Sequence, residues 1–144
     1  PDHEVCSLVR RLIDPRRNHP ICRQKAFFSG RALGADGGKD IAWFGADGVE
    51  LKDAQWFDPE LQTLAMYLDG RGIRSRGPRG ETITDDSFLT VLHMGTDDVV
   101  LSLPSAPWAS SYDVVLDTAR SGTTATAGTY PMTSRSVLLL KAHR

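Results

Sequence analysis

Residues 86–108 read DSFLTVLHMGTDDVVLSLPSAPW, with two apolar runs on either side of the polar segment 95–97. The first run, SFLTVLHM (87–94), is apolar at odd and even positions alike, which is typical of a central strand covered on both faces. The second run, DVVLSL (98–103), alternates and directs one set of side chains inward, Val99, Leu101 and Leu103. The residues Gly, Thr and Asp between the runs suit a hairpin turn. The stretch therefore predicts two strands of an antiparallel sheet.

The same period of two recurs in four other segments. They are IAWF (41–44), TLAMYLDG (63–70), YDVVLD (112–117) and SRSVLLLKA (134–142). One face of the second segment carries Leu64, Met66 and Leu68. The inward face of the third carries Tyr112, Val114 and Leu116. About six or seven short strands separated by Gly, Pro, Ser and Asp turns predict a mainly β protein, an antiparallel β-sandwich of Greek-key-like order.

The first segment has a different period and predicts an amphipathic helix. Its apolar residues recur at helical spacing and form one stripe, Val5, Leu8, Val9, Leu12 and Ile13. Pro15 should kink or end the helix near Ile13, because proline removes a backbone donor, and His19-Pro20 is a second stop signal. A single amphipathic helix cannot bury its own stripe. We therefore expect this helix to dock on a surface outside the sandwich.

Composition and charge exclude several classes of function. The net charge of the 144 residues is −1, so we expect neither a nucleic-acid partner nor attraction to an anionic membrane. No segment approaches the roughly 20 apolar residues of a membrane-spanning helix. The opening PDHEV (1–5) also lacks the apolar core of a signal peptide. Cys6 and Cys22 are too few for a disulfide framework, and we interpret them as reduced, partly buried thiols of a cytoplasmic protein.

The residues that bind metals or act as nucleophiles are scattered. The four histidines stand apart along the chain, and neither cysteine lies in a CxxC or HExxH motif. His93 lies on a strand predicted to be buried, and we interpret it as a hydrogen-bonded core residue. There is no GxSxG motif, and we interpret Cys6 as a packing residue of the helix. We expect no metal, no cofactor and no catalytic residue in this chain.

Two pairs of adjacent carboxylates and one arginine-rich loop are the other candidates for chemistry. A retaining glycosidase needs two carboxyl groups about 5 Å apart, facing each other across a sugar. Asp85-Asp86 and Asp97-Asp98 are adjacent in sequence, and adjacent strand residues point to opposite faces, so we interpret both pairs as turn and strand-cap residues. The loop GRGIRSRGPRG (70–80) could hold phosphate through its arginines, but it lacks the GxxxxGK[ST] pattern. A solvated or interdomain loop is the alternative that we favour.

Four aromatic residues are candidates for carbohydrate binding. Aromatic rings suit the apolar faces of glucose, and Trp43, Trp56, Tyr67 and Trp108 could together form a stacking platform. The alternative for each is packing in the core or at the rim of the sandwich. Trp43 lies inside an apolar strand, and Trp108 follows Pro107, which favours that alternative.

Several stretches, taken in order, resemble the carboxyl-terminal part of bacterial glycogen debranching enzymes, the isoamylase-type members of the α-amylase superfamily. The most specific are RNHP (17–20) with FFSGR (27–31), DIAWF (40–44), LDGRGIRSRGPRGE (68–81) and DDSFLTVLH (85–93). A further stretch is PWASSYDVVLDTA (107–119). The resemblance covers essentially all 144 residues. The family usually has an uninterrupted helical segment before the residues that correspond to His19-Pro20. This sequence differs in having Pro15 within that segment.

The resemblance implies a division of the chain and a role for each part. Residues 1–26 correspond to the terminal helix of a (β/α) catalytic barrel, and residues 27–144 to the β-sandwich that follows it. The whole enzyme is a glycoside hydrolase that cleaves α-1,6-glucosidic branch linkages in glycogen or limit dextrins. The family's catalytic carboxylates lie on earlier barrel strands, so we expect this chain to be inactive alone.

The resemblance also implies partners. We expect the barrel of the same polypeptide to cover the helix stripe, branched α-glucan to bind through the whole enzyme, and the isolated chain to self-associate through the exposed stripe. The alternative function is a stand-alone glucan-binding or interaction module.

Overall fold

The computed structural model describes residues 2–122 and 124–144, which form eight strands, one α-helix and three short 3₁₀ segments. Helix α1 spans Asp2–Asn18. The strands are β1 Ile41–Phe44, β2 Thr63–Leu68, β3 Ser87–His93, β4 Val99–Ser102, β5 Ser111–Asp117, β6 Ala125–Thr126, β7 Thr129–Met132 and β8 Ser136–His143. The 3₁₀ segments are Pro20–Arg23, Asp53–Phe57 and Gly70–Gly72.

The strands form two sheets in which every pair is antiparallel. The larger sheet has the order β1-β2-β3-β8-β5-β6, and β4 pairs with β7 in the smaller one. Strand β8 lies between β3 and β5, so neighbours in space are distant in sequence. This arrangement confirms the predicted antiparallel sandwich, and no closed barrel occurs in the part of the chain that the structure describes.

The connection between β3 and β4 corrects one expectation. The turn residues at 95–97 predicted that these strands pair as a hairpin, but β3 pairs with β2 and β8, whereas β4 pairs with β7. The chain crosses here from one sheet to the other. The apolar patterns of both strands are compatible with a hairpin and with a crossover, because each face of the sandwich needs the same alternation.

The main core lies between the two sheets. Side chains from β2, β3, β5 and β8 of the larger sheet meet those of β4 and β7, and the buried set includes Ala65, Leu89, Val91, Leu101, Tyr112, Val114, Leu138 and Leu140. The predicted inward faces of the segments at 98–103 and 112–117 are confirmed. In β2, Leu64, Met66 and Leu68 share a face as expected, but the fully buried residues are Ala65 and Tyr67 on the other face.

The outer face of the larger sheet carries a second, smaller cluster. Ile21 and Ile73 pack with Phe88 there, and Phe28 and Leu139 contact them at the margin. Coverage of β3 on both faces therefore applies to its first half. Farther along the same face Leu92 is 41% exposed. The division of the chain between residues 26 and 27 remains a prediction.

Helix α1 does not end at the position that Pro15 predicted. It continues to Asn18, and the backbone N–H of His19 donates to the carbonyl of Pro15 over 2.9 Å. Pro15 has no backbone N–H to donate to the carbonyl of Arg11, four residues earlier. Because Arg11 is exposed, water can donate a hydrogen bond to that carbonyl instead. His19, in extended conformation before Pro20, is the stop that the sequence also indicated.

The short strands β6 and β7 were not predicted. The sequence around Thr129–Met132 has few apolar residues and contains Pro131, which usually argues against a central strand. Here Pro131 lies opposite Val100 in a two-stranded sheet, where a missing backbone donor is tolerated because both strands are edges.

Candidate carbohydrate-binding surface

Two of the four candidate aromatic residues lie in the core. Tyr67 is 0% and Trp108 8% exposed, their ring centroids are 5.3 Å apart, and the Tyr67 hydroxyl donates to the backbone carbonyl of Trp108 over 2.9 Å. Phe44 packs edge-on against Trp108 from β1. These two residues take the core-packing alternative, because neither can present a ring face to a ligand.

The other two candidates meet at the surface. Trp43 is half-buried, Trp56 is 42% exposed, and their ring centroids lie 5.4 Å apart at 77°. Strand β1 produces this arrangement because its residues alternate: Ala42 and Phe44 point into the core, whereas Trp43 points outward. The 3₁₀ segment Asp53–Phe57 then brings Trp56 against Trp43. Carbohydrate binding by this pair remains a prediction.

A groove of about 450 Å³ runs along the outer edge of β1 beside Trp43. Its lining comes from three parts of the chain: Phe27, Phe28, Ser29 and Gly30; Lys39, Ile41, Ala42 and Trp43; and Glu50. Phe27 is 94% exposed. Phe27 was not among the residues that the sequence indicated as candidates. The run FFSGR (27–31) was the available signal, but nothing local shows which of two adjacent phenylalanines is exposed.

A buried carboxylate holds the wall of this groove in place. Asp40, 1% exposed, accepts hydrogen bonds from the backbone N–H groups of Ser29 and Gly30, both 2.8 Å, and from the Ser29 hydroxyl at 3.1 Å. It also accepts from the N–H of Ile41 at 3.0 Å. Burial alone would raise the pKa of Asp40, but these hydrogen bonds hold the pKa below its ordinary value. Ser29 and Gly30 are therefore anchored to Asp40, the residue immediately before β1.

The groove is electrically balanced. Lys39 and Glu50 are the two charged residues of its lining, and the Lys39 ammonium lies 2.5 Å from a carboxylate oxygen of Glu50. Both side chains are partly exposed, so their remaining hydrogen-bonding capacity faces solvent. The larger groove beside helix α1, of about 550 Å³, is lined instead by several charges of both signs, including Glu4, Arg11 and Arg120.

The adjacent carboxylates Asp85 and Asp86 correct a geometric expectation. They precede β3 instead of lying within it, and both face His19: its Nδ1 is 2.8 Å from Asp85 Oδ1 and 3.8 Å from Asp86 Oδ2. Asp85 also accepts from the N–H of Ile21 at 3.0 Å, and the ammonium of Lys141 lies 2.7 Å from Asp86. His19, Asp85 and Asp86 lie close enough together to bind one metal ion. Their hydrogen bonds and ion pairs, however, indicate that they link the amino-terminal segment to the sheet.

Two arginines of the arginine-rich loop, Arg71 and Arg74, pair with carboxylates of the same chain. Arg71 donates to Asp69 and to Asp36, and these hydrogen bonds raise the pKa of its guanidinium above the ordinary value. Asp69, which is fully buried, also binds Arg144. A Cβ atom at Gly70 would collide with the backbone carbonyl of Asp85, so the loop needs glycine there. Arg71 is thus held in ion pairs within its own chain and is not available to a phosphate.

His93 lies in the core as predicted, whereas Cys6 does not. His93 is buried, with Nδ1 2.8 Å from the Thr63 hydroxyl and Nε2 2.8 Å from the carbonyl of Asp97, which confirms it as a hydrogen-bonded core residue. Both cysteines are free thiols. Burial raises the pKa of the half-buried Cys22. Cys6 as a packing residue was wrong, because the helix surface that carries it is exposed.

The apolar stripe of helix α1 lies largely in water. Val5 is 62% exposed, Leu8 is partly covered, and Val9, Leu12 and Ile13 are exposed. Leu8 faces the loop at 117–121 across the larger groove. The described part of this chain therefore does not enclose the stripe. No helix among the described residues is long and apolar enough to cross a membrane.

The sequence is related to known proteins over almost its whole length. The glycogen operon protein GlgX homologs of Mycobacterium bovis and Mycobacterium tuberculosis are each 30% identical to it over 144 aligned residues, which is 96% of this chain. The chain spans 20% of the length of these relatives. No protein-family model matches the chain.

Among solved structures, a pullulanase from an Anoxybacillus species, crystallised with maltotetraose, matches 60% of this chain and 10% of its own, with 13% identity and a TM-score of 0.39. At that level the likeness adds nothing to the sequence relationship. The match to the mycobacterial proteins, however, confirms the resemblance carried by the motifs. Over almost its whole length the chain is thus similar to about one fifth of these glycogen operon proteins, which supports its resemblance to the carboxyl-terminal region of glycogen debranching enzymes.

Proposed function

We propose that this chain is the non-catalytic carboxyl-terminal domain of an enzyme that hydrolyses α-1,6-glucosidic branch linkages in glycogen or limit dextrins. The observation that carries the proposal is the 30% identity to GlgX homologs over 96% of the chain. The whole enzyme would use two carboxyl groups, one to protonate the leaving oxygen and one as nucleophile. We place both outside this chain, and we propose a cytoplasmic location, which two free thiols support.

The partner in this proposal is the catalytic barrel of the same polypeptide, packed on the stripe of helix α1. The exposed side chains Val5, Val9 and Leu12 support it, since burying apolar surface contributes about 25 cal/mol per Å². Branched α-glucan would bind through the whole enzyme. When the barrel is absent, the same stripe gives the chain a surface for self-association.

Replacing the matching fifth of the Mycobacterium tuberculosis relative with this chain tests the proposal. We expect the chimera to fold and to release linear chains from branched glucan, as measured by reducing ends. The 144 residues alone should release none. The control chimera carries an unrelated β-sandwich of similar length and should be inactive. The proposal fails if the chain alone debranches glucan, or if a folded chimera has no activity while the intact relative is active.

A stand-alone glucan-binding module is the second candidate. One observation favours it, the outward-facing pair Trp43 and Trp56 beside an open groove. The two candidates are compatible, because a domain that supports a barrel can also bind glucan at a surface away from it.

A further inference from the structure

We propose that the groove along the outer edge of β1, which is lined by Phe27 and Trp43, binds a linear stretch of α-linked glucan at a site separate from any catalytic centre. The inference rests on the proposed function only for the choice of an α-linked glucan. The groove itself, its aromatic lining and its charge balance are features of this chain. The volume of the groove, about 450 Å³, lies within the range of ligand-binding clefts.

The aromatic lining supplies the apolar contacts that a sugar ring needs. Glucose presents apolar C–H faces above and below its ring and hydroxyl groups at its edge. Trp43 lies on a strand paired with β2 and is supported by the edge contact with Trp56, so its ring is held before any ligand arrives. Phe27 also lines the groove and is so exposed that its ring has little contact with the rest of the chain.

The polar groups of the groove favour an uncharged, hydroxyl-rich ligand. Lys39 and Glu50 balance each other, so the groove has no net charge with which to attract an anion or a cation. Both groups are partly exposed and can still donate to or accept from hydroxyl groups. The larger groove beside helix α1 carries several charged groups and lacks aromatic rings other than His3, so it does not offer the same chemistry.

Hydrogen bonds hold two parts of the groove lining in place. Asp40 fixes Ser29 and Gly30 through three hydrogen bonds, and the far end of β1 is tied to the next segment by the N–H of Leu51, which donates to the carbonyl of Trp43 over 2.8 Å. A site formed before binding loses less conformational entropy when the ligand arrives. Ser29, Gly30 and β1 therefore form the prearranged part of the groove, beside which Phe27 is exposed.

The test measures binding of the purified 144-residue chain to glycogen by co-sedimentation and to maltoheptaose by calorimetry. Phe27→Ala is the decisive variant, because a side chain this exposed contributes little to folding. Trp43→Ala is the second, with its thermal unfolding measured in parallel. Each should weaken binding about tenfold, as expected for an aromatic contact at the centre of a site. Val100→Ala, a matched exposed apolar residue on β4, should bind as the unchanged chain does.

The outcomes separate this inference from the proposed function. The groove proposal is wrong if the unchanged chain binds neither glycogen nor maltoheptaose, or if Phe27→Ala leaves the affinity unaltered. It is also wrong if the chain forms a dimer without sugar and Phe27→Ala abolishes that dimer, because a second copy of the chain would then occupy the groove. If the chimera is active but the chain binds no glucan, only the proposal of a glucan-binding groove is wrong. If the chimera folds but is inactive, and the chain still binds glucan, only the proposed function is wrong.

Discussion

The two faces of the six-stranded sheet are held by different forces. The face toward β4 and β7 is closed by apolar side chains that the chain supplies itself. The opposite face has a small cluster of Ile21, Ile73 and Phe88, and the segments over it are fastened largely by the carboxylates Asp40 and Asp85. Apolar burial is not directional, whereas hydrogen bonds to a buried carboxylate fix one geometry.

The difference shows where the domain is self-sufficient and where it is not. The inner face completes a core without any other chain. The outer face leaves Leu92 and the stripe of helix α1 in water, although these side chains are as apolar as those inside. The outer face is therefore where we expect partners, and the inner face is where we expect most of the stability.

Leu89→Ala should give the largest effect. Leu89 is fully buried on the inner face of β3, and truncating such a leucine costs about 3 kcal/mol of the free energy of unfolding because it leaves a cavity. Leu92→Ala, three residues along the same strand on the outer face, is the matched control and should cost less than about 1 kcal/mol. Urea unfolding followed by tryptophan fluorescence measures both. Equal losses at the two positions would contradict the distinction between the faces.

Acidification should act more weakly and on the outer face. The pKa of Asp40 is lower in the folded protein than its ordinary value of 3.8, so its contribution is fully present above pH 3.8 and is lost as the pH falls through the folded value. Asp40→Asn should cost about 1–2 kcal/mol at neutral pH, because the hydrogen bonds to a charged acceptor are lost. It should also flatten the fall in stability between neutral pH and the acid range.

Urea titrations at several pH values, compared with those of the exposed control Asp53→Asn, measure this effect. If Asp40→Asn kept the full acid dependence of the unchanged chain, the assignment of Asp40 as the anchor of Ser29 and Gly30 would be wrong.

Polar substitutions in the helix stripe should change stability least. Val9→Gln with Leu12→Gln replaces exposed apolar residues by a good helix former, so the free energy of unfolding should change by less than about 0.5 kcal/mol. Self-association, measured by light scattering over a range of concentrations, should fall. Arg10→Gln, on the same exposed helix but off the stripe, is the control. A large loss of stability in the double variant would mean that the chain itself uses the stripe.

The regular elements could be predicted because their patterns are local. The alternation in IAWF (41–44) gave β1 with its observed bounds, and the inward set Tyr112, Val114 and Leu116 is buried as expected. The candidate site was predicted only in part, since Trp43 and Trp56 were named but Phe27 was not. Strand β7 was missed because Pro131 carries the opposite local signal, and only its position at a sheet edge makes proline acceptable.

The sequence by itself determined the strand periodicity, the amphipathic helix and, through the order of its motifs, the relationship to glycogen debranching enzymes. The tertiary structure alone decided which aromatic residues are exposed, that Asp85 and Asp86 converge on His19, and that β3 and β4 belong to different sheets. The reason is physical. Periodicity reports which side chains share a face of one element, but the exposure of a face depends on which distant segment packs against it.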